Sequence, residues 1–127
     1  MRYSLLLHYP EMTDADLGPE ALAEGMKAFD LYAKDLDKAG VLISAEVLQP
    51  SSATTTISSA SGTLQIQDGP FADTKEQLGG TFVIEVDDLD AAISWAGKAP
   101  SAAYGSVEIR PSGVYFTDGA WTEWTPR

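Results

Sequence analysis

A chain of 127 residues, of which 44% are hydrophobic and 21% charged, has the composition of one ordinary globular domain. Nineteen acidic residues against eight basic ones give a net charge of −11. The Lys/Arg surface that nucleic-acid binding needs is therefore missing, and an anionic membrane would repel the protein, so we expect neither as a partner. Cysteine is absent and histidine occurs once, which excludes disulfides, thiol chemistry and zinc sites built on paired histidines.

The N-terminal segment, MRYSLLLHYPE, has one basic residue and three leucines before polar residues return. Such a segment is too short for the core of a signal peptide or for a spanning helix. A cytoplasmic location is therefore the default expectation. The acidic residues form no calcium- or magnesium-loop signature, so we expect no metal, and no motif indicates a cofactor.

The first half of the chain is predicted to form a strand, a helix, a second strand and a hairpin. RYSLLLHY is an apolar run suited to a strand that a proline ends. Apolar residues then recur at helical spacing after Gly18, with Pro19 suited to the first helical position and Gly40 to the C-terminal stop. VLISAEVLQP predicts the second strand, and TTTISSASGTLQIQ predicts a solvent-facing hairpin around Gly62.

The second half is predicted to form a strand, a shorter helix and a closing strand, over TFVIEV, DDLDAAISWAGKAP and GSVEIRP. The resulting order is β-α-β, an inserted hairpin and β-α-β, which is the split pattern of an α+β ferredoxin-like sandwich. Two helices can cover only one face of its sheet. Because SLLLHY, VLISAEVL and TFVIEV carry apolar residues at both parities, we expect the other face to be apolar and to be buried in a homodimer.

Residues 114–127 form an extension rich in aromatic side chains around an Asp118-Gly119 turn. Its aromatic residues are Tyr115, Phe116, Trp121 and Trp124. Such residues more often bury area than bind ligands, so we expect the extension to pack on the domain formed by residues 1–113 or on a dimer partner. A lid over a pocket is the alternative.

The segment DGPFADTKEQLGG, residues 68–80, is longer than a hairpin connection normally needs. Thr74 and Gln77 have the spacing of a capping box, which predicts one helical turn over KEQL. A built loop at the rim of a sheet is typical of ligand binding. The candidate ligand-binding residues are Gly69 and Pro70 at a sharp turn, Phe71 as an apolar anchor, and the polar residues Asp73, Lys75 and Glu76. For Lys75 and Glu76, a solvated helical turn is the alternative.

His8 is the only side chain whose ordinary titration lies near neutral pH, which makes it a candidate catalytic residue. If His8 and Asp68 meet in the fold, the carboxylate would orient the imidazole for proton abstraction from a carbon or oxygen acid. Tyr9 is a candidate ligand-binding residue, and Tyr104 and Arg110 could also contact a substrate. The alternatives are a structural histidine and an aspartate that stabilises its own turn.

The stretch DGPFADTKEQLGGTFVIEV closely matches the signature of the YCII-related, DGPF-domain family. The resemblance extends through RYSLLLHY, AGVLISAEVLQP and PSAAYGSVEIRP, over roughly residues 1 to 113. It implies a dimeric α+β-barrel or ferredoxin-like fold, a homodimer, and a small-molecule pocket beside the signature loop. A histidine and aspartate pair has been proposed as catalytic in YCII-type relatives, which favours a cofactor-free lyase or isomerase. DGPF genes often neighbour genes of extracytoplasmic-function sigma factors, so a noncatalytic regulatory module with a sigma factor as partner is the alternative.

Overall fold

The computed structural model describes residues 1–12, 14–72 and 74–123. Along the chain its elements are β1 (Arg2–Tyr9), α1 (Asp14–Lys38), β2 (Leu42–Val47), β3 (Thr55–Ser58), β4 (Gln65–Asp68), β5 (Gln77–Glu85), α2 (Leu89–Ala96), β6 (Ser106–Pro111), β7 (Val114–Thr117) and β8 (Ala120–Glu123). The main sheet has the order β2-β5-β1-β6 and is antiparallel throughout, and β3-β4 and β7-β8 form two separate two-stranded sheets. This α+β arrangement with two helices is compatible with a ferredoxin-like fold.

The core lies between the two helices and one face of the main sheet. Alternate residues of β1 are buried, and their cross-strand partners on β5 are buried with them, because directly paired residues share a face. The largest buried side chains are Tyr3, Leu5, Leu7, Tyr32, Leu36, Phe82 and Ile84. Small residues of α2, Ala92 and Ala96, let that helix approach the sheet closely.

Helix α1 contains a break where the sequence predicts its start. Gly18 has φ 76° and ψ 163°, outside the helical region, and Pro19 follows it. A residue with a side chain would be strained at this φ, which explains the glycine. The predicted C-terminal stop is confirmed, because Gly40 has φ +76° just after the helix ends. In the stretches 1–12, 14–72 and 74–123, no helix combines the length and the apolar character that a membrane span requires.

The predicted helical turn over KEQL is wrong. Gln77 already belongs to β5, and its side-chain amide donates to the carbonyl oxygens of Ala72 and Thr74 at 3.2 and 3.1 Å. The Thr74 hydroxyl donates to the carbonyl of Glu76 instead of capping a helix. The two side chains therefore fold the connection between β4 and β5 into a compact loop, and the extended strand wins because it pairs with β1.

The face of the main sheet that points away from the helices, here called the open face, is more polar than predicted. It carries Arg2, Ser4, Leu6 and His8 of β1, Ser44 and Glu46 of β2, Leu78, Thr81, Val83 and Glu85 of β5, and Ser106, Glu108 and Arg110 of β6. Only Leu6, Leu78 and Val83 among these are apolar; Leu6 and Val83 are half-buried, and Leu78 is 39% exposed. The prediction of an apolar face is therefore wrong, because most apolar residues of these strands fall on the helix side.

Tyr32 connects the two helices, and its titration gives a test of the fold. Its hydroxyl donates to the carbonyl of Trp95 at 2.8 Å, and burial raises the pKa of Tyr32 to about 12. A tyrosine in the unfolded chain ionises near pH 10. The stabilisation that the neutral Tyr32 side chain gives the folded state is therefore complete below pH 10 and is lost as the pH rises towards 12.

We expect Tyr32→Phe to cost stability at pH 9 through the lost hydrogen bond. The difference between the two proteins should shrink by roughly 1–2 kcal/mol between pH 9 and pH 11.5, after allowance for partial solvent access. Urea unfolding followed by circular dichroism measures both values. A difference that does not change with pH would contradict the assignment.

Candidate functional site

His8 lies on the open face near the end of β1, opposite Leu78 of β5 and Ser106 of β6. Its Nε2 atom is 2.6 Å from Oε1 of Glu108, with the His8 side chain 26% exposed and the Glu108 side chain 57% exposed. The Nε2 atom itself is buried, and the Glu108 carboxylate is the one charged group that the structure places against it among the described residues. Glu108 is therefore the charged partner of His8.

A second carboxylate reaches the same region from the signature loop. The Ser106 hydroxyl donates to Oε1 of Glu76 at 3.0 Å, and Ser106 is the register partner of His8. We call His8, Ser106, Glu108 and Glu76 the His8 cluster. An imidazole, a hydroxyl and two carboxylates are groups suited to proton transfer. Among the described residues, no three His, Asp or Glu side chains converge as metal ligands.

An irregularity in the pairing of β1 with β5 adjoins the cluster. Leu7 pairs with Gly80 and His8 with Leu78, so Gly79 is the extra residue of a bulge. Bulges of this kind re-aim side chains and often adjoin functional sites. A Cβ at Gly79 would overlap the Tyr9 ring, so the glycine is required for this approach.

Tyr9 packs on the helix side of the sheet and not with His8. Its ring contacts Phe29 of α1 at 6.5 Å and the edge of Tyr104 at 5.9 Å between centroids. Burial raises the pKa of Tyr9, and the nearby Tyr104 and Glu11 raise it further; burial also raises the pKa of Tyr104. Both phenols stay protonated at neutral pH, and the predicted ligand contact of Tyr9 stays a prediction.

Asp68, the predicted catalytic partner of His8, closes β4 and pairs with Thr55. Within the described residues its exposed carboxylate makes no hydrogen bond or ion pair with His8, whose charged partner is Glu108. The next residue, Gly69, has φ +100°, which confirms that this turn needs a glycine. The catalytic role of Asp68 stays a prediction.

Hydrogen bonds hold the turn of the signature loop in place. The Gly69 amide donates to the carbonyl of Thr54 at 2.8 Å, and the Thr56 hydroxyl donates to the carbonyl of Gly69 at 2.8 Å. The Gln67 side chain donates to the carbonyl of Pro70 at 3.3 Å. Contacts with β3 and with Thr54, which precedes it, therefore set the shape of this turn.

Phe71 is 91% exposed, so no described residue covers its ring, and its predicted role as an apolar anchor for a ligand stays a prediction. Lys75 is also exposed, Glu76 joins the His8 cluster, and Asp73 lies outside the described residues.

A cleft of about 310 Å³ lies away from the signature loop, between α1 and α2. It is lined by Ala28, Leu31, Tyr32, Asp35, Trp95, Lys98 and Pro100. The predicted pocket beside the signature loop stays a prediction.

Residues 1–112 match the family model of the YCII-related domain. The chain belongs to the YCII-related domain family. A relative in Rhizobium meliloti (strain 1021) is 32% identical over 117 residues, which cover 91% of this chain and 94% of that protein, and it is described as uncharacterized. The matched part of this YCII-related chain contains the whole His8 cluster, whereas β7 and β8 follow it.

Sequence reasoning missed Glu108 and Ser106. The period of two in GSVEIRP places them on one face with Arg110, but the sequence does not say which strand lies beside β6. The pairing of β6 with β1 decides the neighbours of His8. A search for a carboxylate on every strand of the sheet, at the parity of His8, would have included Glu108.

The close approach of Tyr9 to Gly79 predicts a clear steric effect. We expect Gly79→Ala to destabilise the protein by roughly 1–3 kcal/mol, because the ring must move out of the core edge. Combining it with Tyr9→Ala should give less than the sum of the two single losses.

Gly25→Ala is the matched control, because nothing lies within 4 Å of its Cβ position in α1. It should stabilise the helix by about 0.5–1 kcal/mol. Urea unfolding of the four variants measures these values. Equal effects of the two glycine substitutions would contradict the packing of Tyr9 on Gly79.

Proposed function

We propose that this YCII-related domain binds a small molecule on the open face of its sheet, and that His8 acts there as an acid–base group. The observation that carries the proposal is the 2.6 Å contact between His8 and Glu108 beside the hydrogen bond between Ser106 and Glu76. These groups lie on a face that the helices leave uncovered, where the His8 side chain is 26% exposed.

The chemistry follows from the contact at Nε2. A carboxylate beside Nε2 favours the proton on that nitrogen, which leaves the lone pair of Nδ1 to accept a proton from a carbon or oxygen acid. Glu108 would then stabilise the imidazolium that forms. This division of roles suits a cofactor-free isomerase or lyase, with Glu108 in the position that the sequence assigned to Asp68.

Arg110 offers a group that can hold the substrate. It lies two residues beyond Glu108 on the same strand and face, about 7 Å along β6, and its side chain is exposed. A guanidinium group binds a carboxylate through two parallel hydrogen bonds. The proposed substrate is therefore a small carboxylate with an acidic C–H or O–H group.

A second copy of the chain would complete the pocket. The open face carries two arginines, Arg2 and Arg110, against three glutamates, Glu46, Glu85 and Glu108. This near balance contrasts with the net charge of −11 of the whole chain, so two copies can approach through this face with little repulsion. A two-fold dimer of this kind would enclose the His8 cluster between two sheets.

The pairing of His8 can be measured directly, because its imidazole is the only one in the protein. We expect Glu108→Gln to change the ring ¹⁵N shifts of His8 at pH 8, since the charge that favours the proton on Nε2 is removed. Asp68→Asn and the control Glu85→Gln, on the same face, should leave the shifts unchanged. A response to Asp68→Asn alone would restore the pair predicted from the sequence.

Proton abstraction can be tested with small 2-oxo and 3-oxo carboxylates in D₂O. We expect the wild type to accelerate C–H exchange of at least one of them, followed by ¹H NMR, and His8→Gln to lose the effect at least 100-fold. Arg110→Gln should weaken binding more than it slows the bound reaction. If none exchanges faster with wild type than with His8→Gln, the acid–base role is overturned.

The noncatalytic alternative is favoured by Phe71. A ring that is 91% exposed next to a hydrogen-bonded turn is typical of a side chain that docks into a protein partner. A regulatory module could use this ring to bind a sigma factor without any acid–base chemistry. This function gains support if the exchange experiment fails while the His8 and Glu108 contact is intact.

A further inference from the structure

The β3-β4 hairpin presents an apolar face that nothing in the described chain covers. Ile57 and Ile66 lie directly opposite each other and are 65% and 67% exposed, and Leu64 beside them is 60% exposed. No charged residue occurs from position 47 to position 67, although the chain has a net charge of −11. An exposed apolar face of this kind is typical of a surface that contacts another chain.

The β7-β8 hairpin presents a second such face at the other end of the sheet. Phe116 and Trp121 form an edge-to-face pair 5.4 Å apart and are 58% and 67% exposed, and Val114 on the same face is 56% exposed. Asp118 and Gly119 both have positive φ, which is the geometry of a tight two-residue turn. The aromatic pair is therefore held on a short, rigid ribbon.

The opposite face of the β7-β8 hairpin is fixed to the domain. The guanidinium carbon of Arg2 lies 3.6 Å from the centre of the Tyr115 ring, and the Ser112 amide donates to the carbonyl of Arg2 at 2.9 Å. These contacts orient the hairpin with its aromatic pair outward. The ribbon is thus pre-organised for contact with another surface and not for packing on its own domain.

We propose that two copies of this chain bind each other through these hairpins. The Phe116 and Trp121 face of each copy docks on the Ile57 and Ile66 face of the other. The proposal rests on the homodimer of the proposed function but not on the acid–base chemistry. The two hairpins follow β2 and β6, the opposite edge strands of the sheet, so each copy has one donor and one acceptor surface. Two equivalent contacts then close a two-fold dimer.

Charge and area both favour a second copy as the occupant. The β7-β8 hairpin carries Asp118 and Glu123, so it meets a copy of this acidic chain with least repulsion at the stretch 47–67, which has no charged residue. If each of the six apolar side chains at one contact covers roughly 100 Å², the two contacts bury on the order of 1,200 Å², which is the range of stable interfaces.

Cysteine cross-linking tests the contact, because the chain has no cysteine of its own. Ile57→Cys and Trp121→Cys are prepared as separate full-length chains, mixed, and treated with a short bismaleimide. We expect a covalent dimer in the mixture and little in either chain alone. The control is Ile93→Cys, which is 50% exposed on α2, mixed with Trp121→Cys. Linking by Trp121→Cys alone, equal linking in the control, or no linking would overturn the proposed contact between the hairpins.

Sedimentation equilibrium separates this inference from the dimer itself. We expect the double substitution Phe116→Ser with Trp121→Ser to weaken dimerisation at least 30-fold, while Leu89→Ser with Ile93→Ser leaves it unchanged. Circular dichroism checks that both variants fold. A double variant that dimerises like wild type overturns the proposed contact between the hairpins but does not contradict a dimer formed through the open face. A monomeric wild type overturns both, and the hairpins would then serve a different protein.

Discussion

The structure depends on the central position of β1, whose backbone pairs with β5 on one side and β6 on the other. Its odd residues fill the core and its even residues lie on the open face, so one strand supplies both the stability of the domain and the histidine of its candidate site. Leu5 and Leu7 are fully buried. A shift of register by one residue would bury His8 and expose both leucines, so core packing fixes the position of the imidazole.

The surroundings of His8 depend on two glycines, Gly79 and Gly105. Gly79 is covered by the Tyr9 ring, and Gly105 lies against the backbone of His8 and Tyr9. Both glycines let β5 and β6 approach the end of β1 more closely than side chains would allow. The bulge at Gly79 ends the regular pairing beside His8, and the loop that follows the signature turn delivers Glu76 to Ser106. Close approach of the backbones of neighbouring strands therefore brings the residues of the His8 cluster together.

The sequence predicted the order of strands and helices and the glycines at the helix break and turns, because these features depend on local periodicity and allowed backbone angles. It did not predict the turn around Gln77 or the polarity of the open face. Thr74 and Gln77 have the spacing of a helix cap, but strand pairing with β1 outweighs that local preference. The partner of His8 was also missed, since Glu108 is a hundred positions away in sequence and only the register of β6 brings it close.

The His8 cluster and the aromatic hairpin lie in different parts of the chain relative to the family match. The His8 cluster lies wholly within residues 1–112, the part that matches the YCII-related domain. Phe116 and Trp121 lie beyond it, on a hairpin anchored through Tyr115 and Arg2. Because Arg2 also belongs to the open face, the hairpin and the face share a residue, and contact at one can influence the order of the other. In the proposed homodimer, this hairpin would change how two copies meet without altering the residues around the imidazole.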